Sequence, residues 1–381
     1  MQKHIVRNLG AVSFQVAVVL AQALLWSSIV LSSVFNISCS VTTEGIQILA
    51  GDYEAPQLQS VLVESDRVVS VCFLEEVSVL GITLSEVSES VDENAYELSP
   101  SLYSASGSKN AVPVSVELQD NGKKVVCNLS ESTQIGKKYI LFGEVEDKNG
   151  NSLTFTAPVT GFNSHAATLV LSEIQDKSTV KGGAEFIELY VLEPGNVSGI
   201  VLSSANDGEN YDFPLPALEV FAGEIITVHL RTAGDGCVSE YGSDLTLSTA
   251  PGSSAARDIW SENSESRLGT SQDVILLKNG NTGTVLDAFL YTRAAKTEWI
   301  KPAVADAALE ANKSGAWPSG AGVCSVFQMQ GTTTQCIFVR TNIADLDALA
   351  EKGMLPPLPV PVYAENWCRV TPANVSPGFL Q

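Results

Sequence analysis

Histidine is scarce in this chain. Three are present, His4, His165 and His229, and the first falls in a basic and then apolar N-terminal stretch that reads as a targeting segment. Metal centres and acid–base sites built on imidazole therefore have little to draw on. Basic residues are also few: 22 Lys and Arg stand against 43 Asp and Glu, a formal charge of −21 over 381 residues. Such a surface repels phosphate backbones and anionic headgroups, so no nucleic-acid partner is expected. No Gly-x-Ser-x-Gly elbow occurs, which leaves a hydrolase without its nucleophile. No phosphate-binding Gly-x-x-x-x-Gly-Lys loop and no dinucleotide glycine fingerprint occur either, and no cofactor is implied. What remains is the composition of a folded chain, 45% hydrophobic and 17% charged, long enough for two domains with real cores.

Lys3, His4 and Arg7 form a basic end, and Leu9 to Phe35 is largely apolar before Asn36-Ile-Ser-Cys39. A basic end, an apolar core and a small residue before a Cys resemble a bacterial lipoprotein signal. The resemblance makes residues 1–39 the signal segment and Cys39 the lipidated first residue. Asn36 stands where that family usually has Leu. An uncleaved anchor and ordinary secretion are the alternatives, since the apolar stretch is long enough to span a bilayer. All three put the folded part outside the cytoplasm, in the cell envelope. Residues 40–55 read as a tether.

Residues 56–163 read as short strands. Leu58 to Val63 and Val68 to Phe73 flank a polar turn. Val112 to Leu118 and Lys124 to Leu129 flank a turn ending in Asn121-Gly122, and Tyr139 to Val145 and Leu153 to Val159 flank Asp147-Lys-Asn-Gly150. Asn-Gly between alternating runs is a strong hairpin signal, and strands at this spacing predict a β-sandwich. Gly136-Lys-Lys-Tyr139 and Asp147-Lys-Asn-Gly-Asn151 resemble the ending of bacterial Ig-like domains, which implies a display or spacer module. Asp147, Asn149 and Asn151 are read as a turn, because the glycine and twelfth-position Glu of a calcium loop are missing.

The remainder is organised around Ala184-Glu-Phe-Ile-Glu-Leu-Tyr190, which follows Leu169-Val-Leu-Ser-Glu-Ile174. Both alternate apolar and polar residues, the period of a half-buried strand, with Ile187 and Leu189 facing one way and Phe186, Glu188 and Tyr190 the other. Glu185-Phe-Ile-Glu-Leu189, Tyr211-Asp-Phe-Pro214, Ala222-Gly-Glu-Ile-Ile-Thr-Val-His229 and the closing Trp367-Cys-Arg369 with Thr371-Pro372 resemble the lamin-tail domain, an Ig-like sandwich. The resemblance covers 167–293 and, loosely, the chain end. The chain as a whole is expected to be all-β, two Ig-like sandwiches in tandem, with 167–381 as the second and 294–365 as an insertion in it. Within that insertion Asn342 to Gly353 reads as one helix, and Leu355-Pro-Pro-Leu-Pro-Val-Pro361 as an extended connector.

Candidate chemistry is thin. Glu173 and Glu188 could lie side by side on adjacent strands as a general acid and base, with Glu185 nearby, but nothing supplies a nucleophile. The competing reading makes them acceptors for loop backbone at the end of the sandwich. Asn206, Asp207, Glu209 and Asp212 could hold a calcium ion through oxygen, or form an acidic turn that needs none. His229, alone in an apolar run, is expected in the core or at the surface and not as a ligand. Cys72 and Cys127 fall on opposite strand faces and should stay unpaired. Cys324 and Cys336 flank a plausible hairpin and are the expected bridge. These features predict a non-catalytic, membrane-anchored surface or periplasmic protein that binds a protein or glycan partner or has a structural role in an envelope assembly. The alternatives are an accessory of an extracellular, nuclease-type hydrolase and a calcium-dependent adhesion module.

Overall fold

The computed structural model describes residues 37–42, 45–50, 52–87, 111–176, 185–207, 211–249, 255–294, 296–329, 337–370 and 378–380. The fold is all-β, with two short helices among the described residues. The lipoprotein-type signal segment lies outside the described residues up to position 36. The expected tether contains a hairpin of β1 (Ile37–Thr42) and β2 (Gly45–Ala50), in which Cys39 pairs with Ile48.

The first core lies between two four-stranded sheets. Their strands are β3 (Leu58–Ser65), β4 (Val68–Phe73), β5 (Ser78–Glu86), β6 (Ala111–Val112), β7 (Val114–Gln119), β8 (Lys124–Leu129), β9 (Lys138–Glu146) and β10 (Ser152–Thr160). One sheet runs β3-β4-β8-β7 and the other β10-β9-β5-β6. The three expected hairpins form in the expected places. At the β7–β8 turn Asp120, Asn121 and Gly122 all take positive φ, which Asn, Asp and Gly accept at least cost. Val69, Val71 and Phe73 of β4 point inward with Val125, Cys127 and Leu129 of β8, and Phe73 meets Phe155 edge-on at 5.8 Å. Cys72 faces the other way, and both Cys72 and Cys127 are free. β5, which carries Gly81 in mid-strand, had no sequence expectation.

The second core is larger. Its strands are β11 (Thr168–Gln175), β12 (Phe186–Glu193), β13 (Gly195–Asn196), β14 (Ile200–Ser204), β15 (Tyr211–Pro214), β16 (Glu219–Val220), β17 (Ile225–His229), β18 (Arg257–Trp260), β19 (Gln272–Asn279), β20 (Val285–Arg293), β21 (Phe327–Met329), β22 (Ile337–Arg340) and β23 (Trp367–Val370). A six-stranded sheet, β18-β17-β12-β11-β22-β23, faces a five-stranded one, β15-β14-β19-β20-β21. Ile187 and Leu189 of β12 are fully buried between them.

Three expectations change here. The strand expected to be half-buried is buried on both faces. The outer face of β12, with Tyr190 and Leu192, lies under Ile343 and Leu346 of a helix and under Val360 of the proline-rich run. The segment expected as an insertion is woven into both sheets: it supplies β21 to one and β22 to the other. It also supplies two helices, α1 (Pro302–Ser314) and α2 (Ile343–Ala350). Finally, β21 and β22 are not the two arms of a hairpin. They belong to opposite sheets, and Cys324 is free and exposed. Cys336 lies outside the described residues. The expected Cys324–Cys336 bridge is therefore not formed.

Asn342 takes the N-cap position of α2, but its side chain does not cap. Its Oδ1 accepts from Arg340 Nε at 2.9 Å. The two cores abut closely. A Cβ at Gly136 would sit 2.2 Å from that of Ala217, and Asn163 Nδ2 donates to Asn196 O and Ser198 O at 2.7 and 2.9 Å.

Candidate functional site

The paired glutamates occupy the places the strand pattern implied. Glu173 and Glu188 are register partners on β11 and β12, next to a bulge between Leu171 and Glu173. Both are buried. Glu188 accepts from the Ser172 hydroxyl and from Gly378 N, each at 2.8 Å. Burial pushes its carboxyl up to about 8, against the pull of those two hydrogen bonds, and the neighbouring Glu173 adds to the rise.

The other buried acids behave alike. Glu185 gathers the 266–268 loop, accepting from the Ser266 hydroxyl and from the backbone N–H of Arg267 and Leu268. Asp273 accepts from Gly269 N and the Ser204 hydroxyl at 2.8 Å, and burial lifts its carboxyl to about 7. Asp287, on β20, crosses between the sheets. Its Oδ2 takes Leu171 N at 2.8 Å and Arg340 Nη1 at 2.7 Å, in an ion pair sealed from solvent on both sides. Burial raises the Asp287 carboxyl and the adjacent guanidinium draws it back. Each carboxylate thus meets backbone donors that strand irregularities and loops leave over, which is what a buried polar group requires.

His229 is equally enclosed. It stacks on Trp260 with centroids 3.7 Å apart and rings 6° from parallel, and its Nε2 lies 2.9 Å from Asp258 Oδ1. It is a core residue, and among the described residues it belongs to no group of three or more side chains that could hold a metal ion.

Of the acidic loop, the side chains of Asn206 and Asp212 lie among the described residues. Asn206 holds the Lys301 ammonium through its backbone and side-chain oxygens, while its Nδ2 donates to Arg267 O at 3.0 Å. Asp212 accepts from the Ser203 hydroxyl. Glu209 and the side chain of Asp207 lie outside the described residues. In the first sandwich, carboxylate oxygens of Asp52, Glu75 and Asp147 come within 4.8 Å of one another. Asp147 is nevertheless occupied as a turn residue. Its Oδ1 accepts from Asn149 N and Asn151 N at 2.8 Å, and its Oδ2 from Asn151 Nδ2 at 2.7 Å.

A site with room for a ligand lies elsewhere among the described residues. An open cleft of about 470 Å³ lies between the end of β12, the turn before β17 and the C-terminal half of α2. Leu192, Pro194, Ala222 and Ala350 give it apolar walls, and Glu193, Asp347 and Glu351 line it with acid. Tyr190 forms part of the lining, hydrogen-bonded to Asp347. Burial first, and then the bond to Asp347 and the charges of Asp347 and Glu351, push its phenol up to about 12. A second hollow of about 140 Å³ between Asn206, Gln272 and Lys301 is a third of that size.

Folding alone does not favour the acid placement on α2. Asp347 and Glu351 are four residues apart on one helix face, a like-charge pair that costs about 0.2–0.5 kcal/mol. They sit at the helix C-terminus, where the dipole is already negative and acid is unfavourable by about 0.3–1 kcal/mol. No basic residue occupies that last turn. The Tyr190 hydroxyl offsets the charge of Asp347; among the described residues nothing bonds the Glu351 carboxylate. The signal was present in Asp347-Ala-Leu-Ala-Glu351, but only the packing of α2 on β12 turns it into a cleft wall.

Comparison with known proteins adds a family and little chemistry. The family model TP_1001_2nd, protein second domain, matches residues 167–369, just over half the chain. An uncharacterized protein of Treponema pallidum (strain Nichols) is 27% identical over 197 residues, covering 50% of each chain. The chain thus spans about half the length of the curated relative it matches. Among solved structures, the N-terminal part of the bacterial S-layer protein SbsC is similar at 10% identity and a TM-score of 0.22, over 63% of this chain and 44% of that one. Domains 1–6 of SbsC give 10%, 0.22, 63% and 41%. At that TM-score the likeness carries no argument about shape or role.

Proposed function

The chain belongs to the TP_1001_2nd family, protein second domain, and on that premise we propose that it is a non-catalytic binding protein of the cell envelope. One observation carries the reading. The buried carboxylates are committed as acceptors inside the sandwich: Glu185, Glu188, Asp273 and Asp287 each hold backbone N–H groups. A catalytic pair needs access to substrate and a partner group. Here the best-paired acids are sealed, and in the open cleft the Tyr190 phenol holds its proton tightly while Glu193 and Asp347 are each engaged by a neighbouring hydroxyl.

The address rests on sequence. The Lys3–Arg7 basic end, the apolar run and Cys39 support a lipid-anchored, extracytoplasmic protein, and the net charge of −21 favours a partner other than nucleic acid. The lamin-tail and bacterial Ig-like resemblances support modules that hold and present a binding face to a protein or glycan.

Two experiments test this. Purified protein is offered ester, peptide, phosphodiester and glycoside substrates beside Glu173→Gln and Glu188→Gln; no turnover is expected, and turnover lost in either variant would overturn the non-catalytic reading. Cys39→Ser is expected to leave an unprocessed precursor that no longer partitions into detergent; a mature N-terminus elsewhere than Cys39 would remove the lipid anchor.

A further inference from the structure

We propose that the cleft between β12 and α2 binds a primary alkylammonium group. The inference rests on the reading above that this chain acts by binding, and it names the chemistry of the ligand.

Three features point the same way. The cleft is acid-lined, by Glu193, Asp347 and Glu351, and among the described residues no Lys or Arg lines it. A cation placed there meets a potential of one sign, focused by low-dielectric walls. The walls between the acids are aliphatic, from Leu192, Ala222 and Ala350. A lysine-like stem fits that combination, with methylenes against the apolar wall and the charge at the carboxylates. An inorganic cation would gain nothing from the aliphatic surface, and a bulky anion would be repelled. Finally, Asp347 and Glu351 stand at i and i+4 on the C-terminal turn of a helix, where unliganded folding disfavours both. A bound ammonium would supply the positive charge that this turn lacks. Local features that oppose folding are expected at functional positions.

The Tyr190 hydroxyl fixes one of the carboxylates. Hydrogen-bonded to Asp347, it orients that group and leaves the remaining oxygens for a ligand. Glu193 is held in a similar way by the Thr168 hydroxyl, at 2.7 Å. Two of the three acids are thus pre-positioned by neighbours, and Glu351, on the exposed lip, is not.

The test uses the full chain at low ionic strength with three probes: 1,5-diaminopentane, the blocked peptide acetyl-Ala-Lys-Ala-amide, and the same peptide with its lysine acetylated. Binding is read from amide chemical shifts of α2 and of residues 190–194. Both amines are expected to shift these residues, and the acetylated peptide is not. Affinity should fall about tenfold or more in Glu351→Lys, and by a smaller factor in Glu351→Gln and Asp347→Asn; thermal unfolding of each variant confirms that the fold is kept. Binding by the peptide alone would support the proposal and identify a polypeptide lysine as the source, while binding by the diamine alone would support it and identify a free amine. Equal binding of the acetylated peptide, unchanged affinity in Glu351→Lys, or no shift with either amine would overturn it. That last result would leave the non-catalytic reading standing, and turnover in the substrate panel would sink that reading without touching amine binding.

Discussion

Replacing Glu188 with Gln separates the cost of burying a carboxyl from its value as an acceptor. In the folded chain this group ionises only near pH 8, whereas its ordinary value is 4.5. Below pH 4.5 it is protonated folded and unfolded, and its contribution to stability is fully present. Between 4.5 and about 8 the unfolded chain releases the proton and the folded chain keeps it, so stability falls by about 1.4 kcal/mol per pH unit. Above about 8 the loss is complete and amounts to up to about 5 kcal/mol. Gln can keep both hydrogen bonds of the protonated acid, accepting from Gly378 N and donating to the Ser172 hydroxyl. The variant should therefore match the parent near pH 5 and exceed it at pH 9. Asp273, lifted to about 7 by burial, remains in both proteins and leaves a shared decline at lower pH. Urea unfolding followed by tryptophan fluorescence at half-unit steps from pH 5 to 9 reads the difference. Parallel stability curves for parent and variant would show that Glu188 does not titrate as its surroundings require.

Two further outcomes follow from the second sandwich. Arg340→Met should destabilise by about 3–5 kcal/mol, because it strands Asp287 in the core, and adding Asp287→Asn should recover much of the loss while keeping an acceptor for Leu171 N; a double variant no better than the single one would refute the pairing argument. Cys324 should react with a thiol reagent in the native protein, while Cys127, buried and with its thiol pushed to about 12, should react only on unfolding; a Cys324–Cys336 peptide in a non-reducing map would contradict the free Cys324 thiol.

Much of the fold can be read from local pattern, and the failures have physical causes. Hairpins closed by Asn121-Gly122 and by Asp147 to Gly150 are legible because the turn residues and the alternating runs agree. β5 is not legible in the sequence because Gly81 interrupts it, and glycine in a strand weakens the pattern. α1 was missed although Pro302 opens it and Gly315, at φ 87, ends it; its run of alanines has little hydrophobic contrast. The short parallel pairings of β18 and β21 are not encoded in neighbouring residues at all. The same holds for the buried charges. Glu173 and Glu188 could be paired from strand register, but Asp287 meets Arg340 only because two sheets stack. The cleft needed one more step, since its acids sit on a helix that the sequence reading treated as part of an insertion.

The crossing of β22 between β11 and β23 bears on the order in which the protein can fold during synthesis. Leu171 and Arg340 meet across 169 residues of chain, and Glu188 and Gly378 across 190. The middle of the six-stranded sheet therefore stays open, its β11 edge unpaired, until almost the whole second half has left the ribosome. The first sandwich has no such wait, because its strands all pair within residues 58–160. Nascent chains should thus carry a finished N-terminal unit followed by a long, apolar, unfinished one, the state most exposed to misassociation and most dependent on a holding chaperone.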